Sequence, residues 1–233
     1  MGIVSSIRKV VLKEKATPED YIAFLRNKGA KIGEDVHIYS PNKTYIDEQF
    51  PFMLTIGDHV HITLGCHILN HDYSWAIGKR AYGEVLGGVG KVTIGNNVFI
   101  GVNSVILMNT VIGDNVIIGA GSVVKGVIPS NSVVGGVPAK VIAPLEKYWE
   151  KRKEEQYSEA ANMVREYRKS FGIDPPKEKL PAYFFLFENR SKMNNDVFLS
   201  RMRLCGNFDD TMNAFKNSEP IFDSYESFLR SIE

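Results

Sequence analysis

A mainly β chain folded as a parallel β-helix is what this sequence predicts, and three observations predict it. An aliphatic residue recurs every six positions, at Ile94, Ile100, Ile106, Ile112, Ile118 and Val124. Glycine follows it at Gly95, Gly101, Gly113 and Gly119. A small or branched residue stands four places after it, at Val98, Ser104, Thr110, Val116 and Ser122. The same period opens earlier, at Ile32, Ile38, Ile56, Ile62 and Ile68. A helix would space its aliphatics three and four apart, and a flat strand would alternate every two residues. A period of six instead fits short strands joined by tight corners, with the aliphatic inside a prism. Gly, Asn and Asp suit the corners because they tolerate positive φ. Each coil then buries its inner face only against its neighbours.

The remaining elements follow in chain order. Residues 1–31 precede the prism and form an N-terminal cap. In "TPEDYIAFLRNKG", Thr17 reads as a helix N-cap, Pro18 as the first helical position and Gly29 as the stop. Residues 32–143 form the β-helix domain. A small break, "FPF", interrupts its first block. A larger one, residues 74–90, carries five glycines and leaves the register, so it reads as a loop ejected from the coils. Long loops in compact folds usually carry function. Residues 144–233 form a helical appendage. Its first helix starts at Pro144, with Leu145, Tyr148, Trp149, Ala160, Val164, Tyr167 and Phe171 on one stripe and Gly172 at its end. "AYFFLFENR" is apolar enough for burial, and the last forty residues suit one or two short helices.

Composition narrows the function classes. The 233 residues are 44% hydrophobic and 24% charged, with a net charge of +1. This gives no general attraction to nucleic acid or to anionic membrane. No apolar run is long enough to span a bilayer, and the apolar run of "MGIVSSIRKVV" is too short for a signal peptide. Gly2 and Ser6 match the short myristoylation pattern. Two cysteines, Cys66 and Cys205, read as free thiols in a reducing, cytoplasmic setting, with Cys66 at an inward phase.

The repeats, the loop ejected after "NHD", and then "IGAGSVV" and "GGVPAKVI" resemble the hexapeptide-repeat acyltransferases. Within them the chain is most similar to the xenobiotic and sugar O-acetyltransferase branch. The match covers roughly residues 32–143. The resemblance implies a left-handed β-helix, a homotrimer with active sites between subunits, and acetyl-CoA as acyl donor. It implies a general base at His71, beside the loop. It places backbone contacts to CoA at Val102, Ala120 and Lys125, and a phosphate-facing lysine at Lys140. Two departures stand out: "KGV" replaces the common "TKD" from Lys125, and Ala143 stands where many relatives carry arginine.

Acetyl transfer to a hydroxyl needs a base that is neutral yet basic near pH 7, which histidine is. A neighbour must fix its ring; Asp72, Glu84 and backbone carbonyls are candidates. Asn70 is a candidate contact to the acceptor. Tyr73, Trp75 and Tyr82 offer aromatic faces that suit sugar rings as well as chloramphenicol-like rings. The expected acceptor is a sugar hydroxyl in polysaccharide synthesis, with a xenobiotic as the alternative. Two other classes compete. A γ-carbonic-anhydrase-like zinc site would need three imidazoles meeting within ~2.1 Å of one point. His59, His61, His67 and His71 supply the residue type, but His61 and His67 lie six apart and should diverge onto successive faces. The other is a non-catalytic trimeric scaffold.

Overall fold

The computed structural model describes residues 10–191, 193–204 and 206–232. Gly2, Ser6 and Cys205 lie outside the described residues. Two compact units make up the chain, divided between Tyr148 and Trp149.

The first unit is a three-sided prism. Its short strands stack into three sheets, one per face, with successive strands falling on successive faces. The first face holds β1 (Lys31–Ile32), β4 (Leu54–Ile56), β7 (Val92–Ile94), β10 (Val111–Ile112) and β13 (Val127–Ile128). The second runs from β2 (His37–Ile38) through β5 (His61–Ile62), β8 (Val98–Ile100) and β11 (Val116–Ile118) to β14 (Ser132–Gly136). The third holds β3 (Tyr45–Ile46), β6 (His67–Ile68), β9 (Val105–Ile106) and β12 (Val123–Val124). All these pairings are parallel. The six-residue aliphatics meet in register, as Ile38 with Ile62 and Ile62 with Ile100. They are almost wholly buried and form one core.

The corners explain the Asn and Gly signal. Asp35, His59, Asn97, Asn115 and Asn131 all take positive φ, between 51° and 57°. Gly101 is needed for closeness instead: a Cβ there would stand 2.5 Å from the backbone N of Ala120 on the next coil. The second inward position tolerates polar residues because they bond back to the chain. Ser104 and Ser122, both fully buried, donate to the carbonyl of Gly119. Cys66 fills the same phase, fully buried, and burial pushes its thiol pKa up.

Helix α1 (Pro18–Asn27) starts as the sequence indicates: Thr17 accepts from the backbone N–H of Asp20. Tyr21, Ile22 and Leu25 turn into the prism core. The "FPF" break is a single 3-10 turn, Pro51–Met53. The ejected loop is more ordered than its glycines suggest: it carries helix α2 (Trp75–Tyr82), stopped by Gly83 in the left-handed conformation. At the far end β15 (Ala139–Pro144) turns back antiparallel on β14, pairing Lys140 with Gly135.

Helix α3 (Leu145–Phe171) begins in the last residues of this unit and ends at Gly172 (φ 69°). Its expected stripe is only partly packed. Ala160, Ala161 and Val164 are buried, whereas Trp149 and Phe171 are mostly exposed. Three short helices follow, where the sequence suggested one or two: α4 (Asp196–Leu204), α5 (Phe208–Lys216) and α6 (Tyr225–Arg230). With Phe184, Leu186 and Phe187 from "AYFFLFENR" they enclose a second, largely aromatic core.

Candidate active site

The site forms where the third face is interrupted. Strand β6 ends at Ile68, and three ties then pinch the base of the ejected loop. The backbone of Gly90 donates to Asn70 (2.8 Å), His71 bridges antiparallel to Val89, and Asp72 N–H donates to Gly88 (3.0 Å). Thus His71 stands at the point where the chain leaves the prism and returns.

The His71 ring is held on several sides. Its Nδ1 bonds Asp47 Oδ2, on the preceding coil. Phe50 and Tyr73 meet it edge-on, with centroids at 5.4 and 5.1 Å. Only 12% of the His71 side chain is exposed, against 1% for Asp47. Asp47 is itself fixed: the backbone N–H of Gln49 donates to Oδ1 (3.0 Å) and that of Asn70 to Oδ2 (3.2 Å). A carboxylate receiving these donors is an acceptor only. In the neutral ring the Nδ1 proton therefore points to Asp47, and Nε2 carries the lone pair. A neutral imidazole with one nitrogen tied and the other free is the arrangement a general base needs.

The sequence-level candidates sort as follows. Asp72 does not orient the ring. Its carboxylate accepts from the hydroxyl and backbone N–H of Ser74, and these bonds hold its pKa below the ordinary value. Glu84 lies exposed in the loop beyond α2. Asn70 is 1% exposed, and its Nδ2 donates to the Phe50 carbonyl at 2.6 Å. It pins the "FPF" turn to the base of the loop, while its Oδ1 has no partner. Tyr73 is exposed, donates to Gln49 Oε1 (2.8 Å) and lies beside Trp75, with ring centroids 6.0 Å apart. Tyr82 is 80% exposed at the end of α2, away from this cluster of contacts. Val102 and Ala120 share a corner on adjacent coils, where Gly121 N–H donates to the Val102 carbonyl. Both are exposed, as are Lys125 after β12 and Lys140 on β15.

Asp47, Gln49 and Phe50 are absent from that set. The signal that finds them is register, not proximity in sequence. Tyr45 pairs with His67 and Ile46 with Ile68, so Asp47 falls one coil from the residues leading into His71.

The other histidines do not meet at a metal-binding point among the described residues. His37 and His61 stack on the second face, centroids 5.1 Å apart, while His67 projects from the third. His59 and His37 both bond Asp35. Burial raises the Asp35 pKa, but the bonds from His59 and His37 outweigh it and leave it below its ordinary value. Among the described residues no group of His, Cys, Asp and Glu is arranged to hold a metal ion.

Comparison with known proteins identifies the family. The family model for the bacterial transferase hexapeptide (six repeats) matches residues 91–126. Protein CapG of Staphylococcus aureus is 38% identical over 144 residues, 61% of this chain and 81% of that protein. A putative acetyltransferase of Bacillus subtilis, YvoF, is 31% identical over 133 residues, 57% of this chain and 69% of that protein. The chain belongs to the hexapeptide-repeat acetyltransferases. As a member of that family it is an enzyme, and its prism is the family's left-handed β-helix. The galactoside O-acetyltransferase of Escherichia coli is 37% identical over 138 residues, 57% of this chain and 62% of that protein. A solved hexapeptide-repeat acetyltransferase from Vibrio cholerae superposes with a TM-score of 0.46 at 21% identity, covering 61% of this chain and 89% of that one. A galactoside acetyltransferase solved with coenzyme A gives 0.42 at 26%, covering 62% and 84%. No helix among the described residues is long and apolar enough to cross a membrane.

Proposed function

We propose that the protein is an O-acetyltransferase that moves an acetyl group from acetyl-CoA to a sugar hydroxyl of a polysaccharide precursor. The observation that carries this is the His71–Asp47 pair at the foot of the ejected loop, in a chain of acetyltransferase descent. His71 Nε2 takes the hydroxyl proton as the oxygen attacks the thioester carbonyl. The tetrahedral intermediate collapses, the C–S bond breaks, and the imidazolium returns the proton to the departing CoA thiolate. The products are an acetyl ester and free CoA. No covalent enzyme intermediate is needed. Asp47 holds the tautomer and stabilises the imidazolium. Backbone N–H groups at the coil corners are the natural donors to the oxyanion.

Val102, Ala120 and Lys125 are the proposed contacts to the pantetheine arm, with Lys140 near the phosphates. Close packing at Gly101 and Ala120 keeps that corner low enough for a long arm to lie along it. Tyr73 and Trp75 offer the aromatic wall for a sugar ring. Two relatives support the acceptor class. One is named a galactoside O-acetyltransferase. The other, a putative lipopolysaccharide biosynthesis O-acetyl transferase, WbbJ of Escherichia coli, is 49% identical over 63 residues, 32% of that protein. A homotrimer is proposed as well, since a prism with flat faces closes as a ring when sites are shared.

Free-thiol release from acetyl-CoA, with a panel of sugars and phenicols, tests the reading. Release that depends on a sugar and falls by at least ~100-fold in His71→Ala supports it. Turnover that survives this substitution removes His71 as the base. A phenicol acceptor in place of a sugar moves the chain to the xenobiotic class.

A further inference from the structure

Glu48, the next residue after Asp47, is held in an ion pair that the reaction as described does not use. Lys15 Nζ bonds Glu48 Oε1 at 2.8 Å, and Tyr21 Oη donates to the same oxygen at 2.9 Å. The Tyr21 hydroxyl also lies 3.4 Å from the carbonyl of Ile46. A single side chain from α1 therefore grips the residues on either side of Asp47. Lys15 stands over the Tyr21 ring, 4.7 Å from its centroid, and 6.0 Å from that of Tyr45. The Lys15 and Glu48 side chains are 25% and 32% exposed, and Tyr21 is fully buried. Burial and the Glu48 carboxylate raise the Tyr21 pKa far above its ordinary value, so it stays a hydrogen-bond donor.

We propose that Lys15, Tyr21 and Glu48 are positioning residues: they fix Asp47 against His71 and neutralise the charge behind that pair. The helix before the prism thereby belongs to the catalytic machinery and is more than a plug for the open end. The proposal rests on the reading of His71 and Asp47 given above. Its physical content is a balance of charge. Glu48 is adjacent to Asp47, so an uncompensated Glu48 would add a second negative charge near the imidazole and favour its protonated form. An uncompensated Lys15 would do the opposite. Among the described residues, Tyr45, Tyr73 and Asp72 are the other titratable groups coupled to this cluster, and none carries a positive charge that would compensate Glu48.

The test follows the titration of His71 by NMR on protein labelled at histidine Cε1, its resonance assigned by its loss in His71→Ala. Lys15→Met keeps the aliphatic stem and Tyr21→Phe keeps the ring, so both spare the packing. Lys15→Met is expected to raise the titration midpoint by about 0.5 pH unit, and Glu48→Gln to lower it by a similar amount. Tyr21→Phe should raise it by less. Opposite signs for Lys15→Met and Glu48→Gln, in chains that melt like the native one, support the proposal, because loosened packing would move both the same way. Shifts of one sign, or none, overturn it. The titration needs no acceptor and no turnover. If His71→Ala leaves acetyl transfer intact, the catalytic reading falls while the titration still decides the charge balance.

Discussion

Ile100 and Phe228 are both fully buried, yet they sit in cores of different kinds. Ile100 belongs to a column of aliphatics, one per turn of the prism, each in register with the next. Phe228 belongs to a cluster of rings, with Phe187, Phe222 and Tyr225 around it at centroid distances of 5.3 to 6.2 Å. The first core is periodic because its backbone is; the second follows no backbone repeat. In the prism, the proposed site is therefore an interruption of a rule. The appendage has no rule to interrupt, and its residues reveal packing without revealing purpose.

The sharpest way to strengthen that contrast is His71→Ala, which should lower kcat by roughly 10²- to 10⁴-fold in a chain that still folds, at some cost in stability because Asp47 is left buried without its partner. Next comes Asp47→Asn, measured as kcat against KM for acetyl-CoA. A tenfold or larger loss in kcat is expected, below that of the base itself, with KM held. An equal rise in KM would instead mean that Asp47 shapes binding.

These two residues also show what was legible in the sequence. The period of six places every strand from β4 to β12, the ejection of the loop and the inward phase of Cys66, since each follows from a local residue choice. His71 is legible because it stands where the period stops. Asp47 is not legible by nearness, because it lies 24 positions away and only the coil register brings it to the ring. Helix α2 escaped for a different reason: the loop's glycines lie mostly beyond it, and Gly78 inside it is tolerated at a cost of ~1 kcal/mol.

Cavities compare the two cores directly. Ile100→Ala should cost about 2–5 kcal/mol and Phe228→Ala about 3–5 kcal/mol, both read from denaturant melts. The contrast predicts that Phe228→Ala leaves thiol release with a small sugar unchanged. A parallel loss of turnover would break the separation and make the appendage part of the catalytic unit. Lys140→Ala is a smaller change: loss of an exposed lysine proposed to meet a CoA phosphate should raise KM for acetyl-CoA about threefold, and less at high salt.

The smallest expected effect is acid sensitivity. Glu159 of the appendage has its pKa lowered to about 2, chiefly by hydrogen bonds from Arg152 and also from Tyr183. A carboxyl depressed on folding stabilises above its unfolded pKa, and the benefit fades as pH falls through the folded one. Here that window runs from the ordinary carboxylate range near pH 4.5 down to about 2. Asp35 in the prism has the same sign. Glu159→Gln should flatten the acid limb of stability slightly, since exposure screens the pair.

The hairpin made by β14 and β15 has a bearing on solubility. A stack of parallel coils is a one-dimensional lattice, and each terminal coil presents unsatisfied peptide groups to any passing strand. On the second face the chain folds β15 back on β14 in the opposite sense, so the last parallel strand is already occupied. At the other end α1 sets Tyr21, Ile22 and Leu25 into the core, and Arg26 bonds the carbonyls of Ile32 and Gly33 on the first coil. A repeat that by its own logic could add turn upon turn into a fibre is thus given a fixed length, and the same caps that finish the fold oppose end-to-end stacking of copies.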